Sequence, residues 1–187
     1  MKKASMTSVL ISTINVLILY AKIARCCGGY ELIIDYIRNC DSDNIIELSD
    51  NFNVILKPNC EVHFNGCIIS HANITSSITE YTVQKNSVKM SGKKDGCKQL
   101  DNIKPSSDIE KGLDLLGLPK RCPINKGTVC LGIKSINVSK YKLLMNVIAG
   151  HLKGKSVMTT NAGKSCMEFS AKLVNSLVKV VGHSVIG

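Results

Sequence analysis

The sequence predicts a mainly β fold, two antiparallel sheets packed as a sandwich or cup with one short helix at the rim, and three observations lead there. Period-two alternation of apolar and polar residues recurs along the chain, as half-buried strands require. One segment alone, Ser107 to Gly117, carries apolar residues at helical spacing between a capping signal and a glycine stop. Nine cysteines in 187 residues, behind an N-terminal apolar run, mark a disulfide-stapled extracellular chain. Short strands separated by turn signals suit a sandwich.

At the N-terminus, Lys2 and Lys3 precede the apolar run Val9 to Tyr20, the pattern of a secretory signal peptide. The run is shorter than the ~20 apolar residues that span a bilayer. Ala24 and Cys26 stand at minus three and minus one for a cut before Cys27, giving a signal peptide over 1–26 and a single domain over 27–187. That cut leaves eight cysteines, an even number, and 20 basic against 14 acidic residues, a mature charge of +6. Two sequons, at Asn73 and Asn137, are candidate glycan acceptors. The closing run Val180 to Gly187 resembles neither a retention signal nor a lipid-anchor tail.

Along the domain, Phe52, Val54 and Leu56 alternate with Asn53, Ile55 and Lys57, and Val62 and Phe64 with Glu61, His63 and Asn65, which predicts two strands. Ser107 and Glu110 stand in capping-box positions, Ile109, Leu113 and Leu116 share a helical face, and Gly117 ends the helix. Pro119 blocks continuation, and Cys122 is placed to pin the helix. Tyr141, Leu143, Met145 and Val147 read as one face of a further strand. After a turn at Asn161 to Lys164, Met167, Phe169, Ala171 and Leu173 point one way and Cys166, Glu168, Ser170 and Lys172 the other, a hairpin with an apolar inner face.

Composition narrows the function. Aromatic residues at 4% leave few platforms for stacking bases, so the full-length charge of +10 does not indicate nucleic acid. His63, His71, His151 and His183 fall in no metal spacing, and no GxSxG elbow, P-loop or dinucleotide fingerprint is present. His63 and Cys67 stand four apart, but an extracellular cysteine is expected in a disulfide. Acidic residues are scattered rather than paired, so no glycosidase-like carboxylate couple is nominated. No enzyme, metal or cofactor is expected.

The run Gly117 to Thr128 (GLPKRCPINKGT) resembles the GLP, CP and KGT run of the ganglioside activators within the ML, or lipid-recognition, family. Ser139-Lys140-Tyr141, Gly163 to Cys166 and the closing strand Phe169 to Leu173 resemble it too, and Asn39-Cys40 matches an Asn-Cys early in its mature domain. The order and spacing of these motifs identify the chain as similar to an insect-type secreted member. The resemblance implies an immunoglobulin-like β-cup splayed to hold acyl chains, a non-catalytic carrier that presents lipid to an enzyme or receptor. It also implies the disulfides Cys40 with Cys166 and Cys97 with Cys122. Cys27, Cys60, Cys67 and Cys130 keep three pairings open, among them a Cys60 to Cys67 bond closing a small hairpin.

With three Phe and no Trp, an interior lined by aliphatic side chains can stay dry and accept acyl chains. The candidate cavity residues are Val54, Leu56, Val62, Phe64, Leu143, Met145, Val147, Met167, Phe169 and Leu173, a pattern that equally describes an ordinary core. Ile109, Leu113, Leu116, Lys120, Arg121 and Lys126 form a candidate rim for docking on an anionic membrane. Lys85, Lys89, Lys93, Lys94 and Lys98 surround a turn read at Ser91-Gly92 and Asp95-Gly96, and these cations serve equally as a solubilising surface. The expected ligand is a glycolipid, fatty acid or related lipid, the partner a glycosidase or receptor, and the address extracellular, with the lysosome as the family's other one. The competing reading is a cysteine-framed recognition or signalling protein that acts by protein contact.

Overall fold

The computed structural model describes residues 27–132 and 134–175; the segment 1–26 expected as a signal peptide and the closing run from Val180 lie outside the described residues. Eleven strands and three α-helices follow in the order β1 (Tyr30–Asn39), β2 (Ile46–Leu48), β3 (Asn53–Leu56), β4 (Glu61–Asn65), β5 (Cys67–Ser70), β6 (Ser77–Lys85), β7 (Val88–Asp95), α1 (Gly96–Asp101), α2 (Asp108–Leu116), β8 (Gly127–Cys130), β9 (Ser135–Asn137), α3 (Lys142–Ile148), β10 (Gly150–Thr160) and β11 (Gly163–Asn175). The fold is mainly β and antiparallel, as the alternation predicts.

The first layer is a five-stranded sheet in the order β1-β11-β10-β6-β7. The second consists of two three-stranded pieces, β2-β5-β8 and β3-β4-β9, which are consecutive halves of the same three chain segments. Their break falls at Gly66, between β4 and β5, where φ is +92° and a Cβ would lie 2.6 Å from Phe52 Cα. Only glycine lets the two segments touch there. Four residues, 49–52, bulge opposite Gly66 and are held by Phe52 N–H donating to Ser49 O at 2.9 Å and Cys67 N–H to Ser49 Oγ at 2.8 Å. The second layer therefore bends across its middle.

Helix α2 forms where the capping signals predict. Ser107 Oγ accepts from Glu110 N–H at 3.2 Å, Glu110 Oε2 accepts from Ser106 N–H at 2.6 Å, and Gly117 ends the helix in the left-handed region at φ 71°. Lys134 Nζ adds a bond to the terminal carbonyl of Leu116 at 2.9 Å. At the other signalled turn, Thr160 pairs with Gly163, so β10 and β11 form the expected hairpin.

Three sequence expectations are corrected. Residues 142–148 are helix α3, not a strand: Met145 alone is buried, packed with Cys27, Tyr30, Cys60 and Leu173, while Leu143 is 82% exposed. No side chain caps this helix, and Lys85 Nζ, which donates to Val147 O, supports its last turn. Ser91-Gly92 is not a turn but the middle of β7, whose hairpin turn falls at Asn86-Ser87; Gly92 is required because a Cβ would stand 2.5 Å from Tyr81 Oη on the neighbouring strand. Finally, Cys60 does not bond Cys67. The two lie roughly 20 Å apart in extended chain along β4 and β5, which continue one another rather than fold back.

The eight described cysteines pair as Cys27–Cys60, Cys40–Cys166, Cys67–Cys130 and Cys97–Cys122. Cys40–Cys166 ties the end of β1 to β11, and Cys67–Cys130 bridges directly opposed residues of β5 and β8. Cys97–Cys122 fastens α1 to the loop that follows α2, so the lip helix is pinned as its flanking cysteine suggested.

Candidate functional site

Pleat alternation sorts the side chains between the layers. Leu32, Ile34 and Ile37 of β1, Met167, Phe169, Ala171 and Leu173 of β11, and Tyr81 and Val83 of β6 share the inner face of the first sheet. A bulge between Ile34 and Tyr36 keeps both ends of β1 in phase. Ile46, Leu48, Ile68 and Val129 share a face of the second layer, as do Val54, Leu56, Val62 and Phe64.

These faces enclose a buried apolar cluster at one end. There Leu173, Tyr30, Met145 and the Cys27–Cys60 bond form a buried cluster flanked by Leu32, Leu56, Val138 and Ala149. Beyond it Leu48, Ile74 and Leu131 are buried singly, and cavities interrupt the packing. A cavity of about 220 Å³ is lined by Ile37, Leu48, Tyr81, Val83, Met167 and Phe169. A second, of about 550 Å³, lies where Ile46, Ile68 and Val129 face Leu100 of α1, Leu113 of α2 and Pro119 beyond it. Ile46 and Leu48, two residues apart on β2, bring the two spaces onto the same inner face. The larger falls within the ~300–1,000 Å³ range of small-molecule sites.

The hollow has a sequence cause. Gly154 lies opposite Phe169, and a Cβ there would stand 2.6 Å from Phe169 Cζ; Gly92 lies opposite Tyr81 in the same relation. Each ring lies over a position with no side chain, so two residues' worth of filling is missing from the inner face. Moreover, three strands cannot cover five: Val88 and Met90, which face inward on the edge strand β7, remain exposed.

The candidate residues divide accordingly. Met167 and Phe169 line the smaller cavity; Leu56, Met145 and Leu173 belong to the closed end; Val54, Val62 and Phe64 are half-buried on the second layer's inner face. Leu143 and Val147 are exposed on α3 instead of lining a strand. Of the rim group, Leu113 and Lys126 line the larger cavity, Leu116 is buried, and Ile109 is exposed. Arg121 is exposed, whereas Lys120 is held at 2.8 Å from Asp114 and 3.6 Å from Glu110, an ion pairing that raises its pKa. Asn73 and Asn137 are exposed. The sequence reading overlooked Ile46, Ile68 and Val129, Tyr81 and Val83 of β6, and Leu100. Tyr81 and Val83 alternate with Glu80, Thr82 and Gln84, a period that was present to be read, whereas Ile46 and Ile68 each stand beside a second isoleucine, which leaves the inner face unmarked.

An exposed apolar surface lies outside the closed end. Leu143, Leu144, Val147 and Ile148 of α3 are all exposed, and Asn86, in the β6–β7 turn, meets the chain just beyond the helix through His151 N–H at 3.0 Å. Val88 begins β7 directly opposite Lys85, whose Nζ touches Val147 O, so exposed Val88 and Met90 extend this surface. Before α3, Lys140 lies 2.5 Å from Asp108 of α2 and Tyr141 Oη donates to the same carboxylate at 3.0 Å, joining α2 to the turn that leads into α3. Lys140 lowers the Asp108 pKa and is itself raised by it.

On the outer face, Asp35, His151 and Ser170 group in a way that invites comparison with a catalytic triad. Ser170 donates to Asp35 at 2.8 Å, and the same nitrogen of His151 faces both Ser170 Oγ at 2.9 Å and Asp35 at 3.4 Å. A triad needs the carboxylate on the opposite ring nitrogen and an accessible hydroxyl; Ser170 is 2% exposed. The Ser170 hydroxyl, then the Lys172 and His151 charges, lower the Asp35 pKa, a structural arrangement at the β1 bulge. Among the described residues no three His, Cys, Asp or Glu side chains converge as metal ligands, and no helix is long and apolar enough to cross a membrane.

Fold and site together define a disulfide-stapled antiparallel β-cup with an apolar, incompletely filled interior. No family model matches the chain. It is similar to the sporozoite-associated mosquito saliva protein 1 of Anopheles gambiae, with 21% identity over 164 residues, covering 86% of this chain and 90% of that protein. Among solved structures it is similar to chicken MD-1, in a crystal structure of its complex with lipid IVa, at 16% identity and a TM-score of 0.34, covering 77% of this chain and 90% of that one.

Proposed function

We propose that this protein is a secreted, non-enzymatic lipid carrier of the lipid-recognition type, holding the acyl chains of a glycolipid, fatty acid or related lipid between its layers and presenting them to a membrane, a receptor or a lipid-processing glycosidase. The observation that carries this reading is the unfilled apolar interior: cavities bordered by Ile46, Leu48, Ile68, Val129, Met167 and Phe169, beside glycines where a core would place side chains. Such a space excludes water and rewards alkyl chains at ~0.8 kcal/mol per methylene, which favours breadth over choice of chain. The apolar surface of α3, Val88 and Met90 is the face that meets a bilayer, with Lys85 and Lys142 beside it to engage anionic headgroups. Four disulfides and the N-terminal apolar run support export, as does the salivary source in the mosquito relative's name.

The test is native mass spectrometry of oxidised protein from a eukaryotic secretion host, with organic extraction of bound material and uptake from labelled vesicles. A stoichiometric lipid adduct, displaced by added fatty acid, is expected. Protein that emerges empty and takes nothing from vesicles would overturn the carrier reading in favour of action by protein contact.

A further inference from the structure

The outer face of the first sheet carries a second feature, remote from the hollow. Cross-strand register sets Lys153, Gln84 and Lys89 in one row over β10, β6 and β7, and Lys155, Thr82 and Ser91 in the next. Thr82 and Ser91 touch through their hydroxyls at 2.9 Å. Acidic neighbours are already committed: Glu80 pairs with Lys93 at 2.8 Å and Glu168 with Arg38 at 2.7 Å. Lys89, Lys153 and Lys155 have no ion-pair partner among the described residues, and they border adjoining hollows of about 720 and 210 Å³. The face thus presents three uncompensated cations around a floor of neutral hydrogen-bonding groups.

We propose that this face binds a sulfated glycan chain, with sulfate groups on Lys89, Lys153 and Lys155 and sugar hydroxyls on Thr82, Ser91 and Gln84. Charge complementarity and spacing select the occupant. Lys153 and Lys155 stand roughly 7 Å apart along one strand and Lys89 roughly 10 Å away across two, too dispersed for one small anion but suited to repeating charges. The alternation of lysines with hydroxyl and amide groups matches a carbohydrate that carries both sulfates and free hydroxyls. A bilayer is a poorer fit, because the outer positions of these rows offer no exposed large apolar side chain to insert. Nucleic acid is poorer too: the one nearby ring, Tyr36, is covered by the Arg38 guanidinium at 4.7 Å and gives no free stacking platform. Because this face lies on the reverse of the sheet from the cup, glycan and lipid are held together.

The experiment is calorimetric titration of the lipid-loaded protein with a heparin-derived hexasaccharide at 0.15 M salt, beside its desulfated counterpart and phosphatidylserine vesicles. The triple variant Lys89→Gln, Lys153→Gln, Lys155→Gln is compared with Lys57→Gln, Lys104→Gln, Lys111→Gln, which removes the same charge elsewhere. The sulfated probe alone is expected to bind, and the first variant to weaken it about tenfold or more while the second leaves it within about twofold. Equal losses in both variants would mean bulk charge only and would overturn the proposal. So would no binding at this salt, or a first variant that loses vesicle binding while keeping the hexasaccharide. Circular dichroism of both variants establishes that they are folded.

Discussion

Strand β11 runs through two regions of this molecule that treat the same kind of side chain differently. Leu173 is 5% exposed, closed in by Tyr30, Met145 and the Cys27–Cys60 bond. Phe169, four residues back on the same face, stays half-buried over Gly154 and borders open space. The closed end gains from burial and disulfide alike. In the hollow half, burial is forgone and covalent closure by Cys40–Cys166 holds β1 to β11, so cohesion there is delegated from packing to the backbone and its cross-links. A cup that must take up a guest cannot also close-pack its own lining.

The comparison breaks most readily at that cross-link. Cys40→Ser with Cys166→Ser opens a loop whose ends are 126 residues apart, for which chain entropy gives a loss of about 5 kcal/mol, read as a fall in the guanidinium unfolding midpoint. A midpoint unchanged from the parent protein would mean that packing, not the bond, holds the hollow half.

Truncation on either side sharpens the contrast. Leu173→Ala in the closed end is expected to cost about 2–5 kcal/mol in denaturant unfolding. Met167→Ala, half-buried beside the hollow, should cost only about 1 kcal/mol and enlarge the cavity. Equal costs would show the two regions to be one core. Gly154→Ala tests the hollow from the opposite direction: its methyl would drive the Phe169 ring into the cavity, at about 1–3 kcal/mol of strain and with reduced uptake of a fluorescent fatty acid. Undiminished uptake would remove that cavity from the ligand's path.

The smallest effect is electrostatic and lies on neither side. Asp35 has a folded pKa below its ordinary value, chiefly through the Ser170 hydroxyl and then Lys172 and His151. Its contribution is therefore present above the unfolded pKa of about 3.9 and is lost as pH falls through the lower folded value. Asp35→Asn should flatten that acid limb slightly in a stability profile between pH 2 and 6; a limb as steep as the parent's would assign it to other carboxylates.

Some of this was written locally in the chain. Ser107, Glu110 and Gly117 specify a helix through bonds within a dozen residues, and the glycine turn before Lys164 specifies a hairpin, so both were legible. Residues 141–148 were not: Tyr141, Leu143, Met145 and Val147 fit period two, while Tyr141, Met145 and Ile148 fit a helical turn equally well. With no capping side chain to decide, contact with β6 and the cluster around Tyr30 selects the helix. Gly92 misled for a related reason. A glycine beside serine usually marks a turn, and only the ring of Tyr81 on the adjacent strand explains it within β7.

What the sequence determined by itself was therefore the class of fold, the helix capped by Ser107 and Gly117, the closing hairpin and an apolar inner face, because each rests on dihedral preference or periodicity over a few residues. What only the tertiary structure decided was how Cys27, Cys60, Cys67 and Cys130 pair, which strand faces stay uncovered and where the interior remains empty. Those depend on segments as far apart as Cys67 and Cys130, and on five strands facing three, a mismatch that no local window contains.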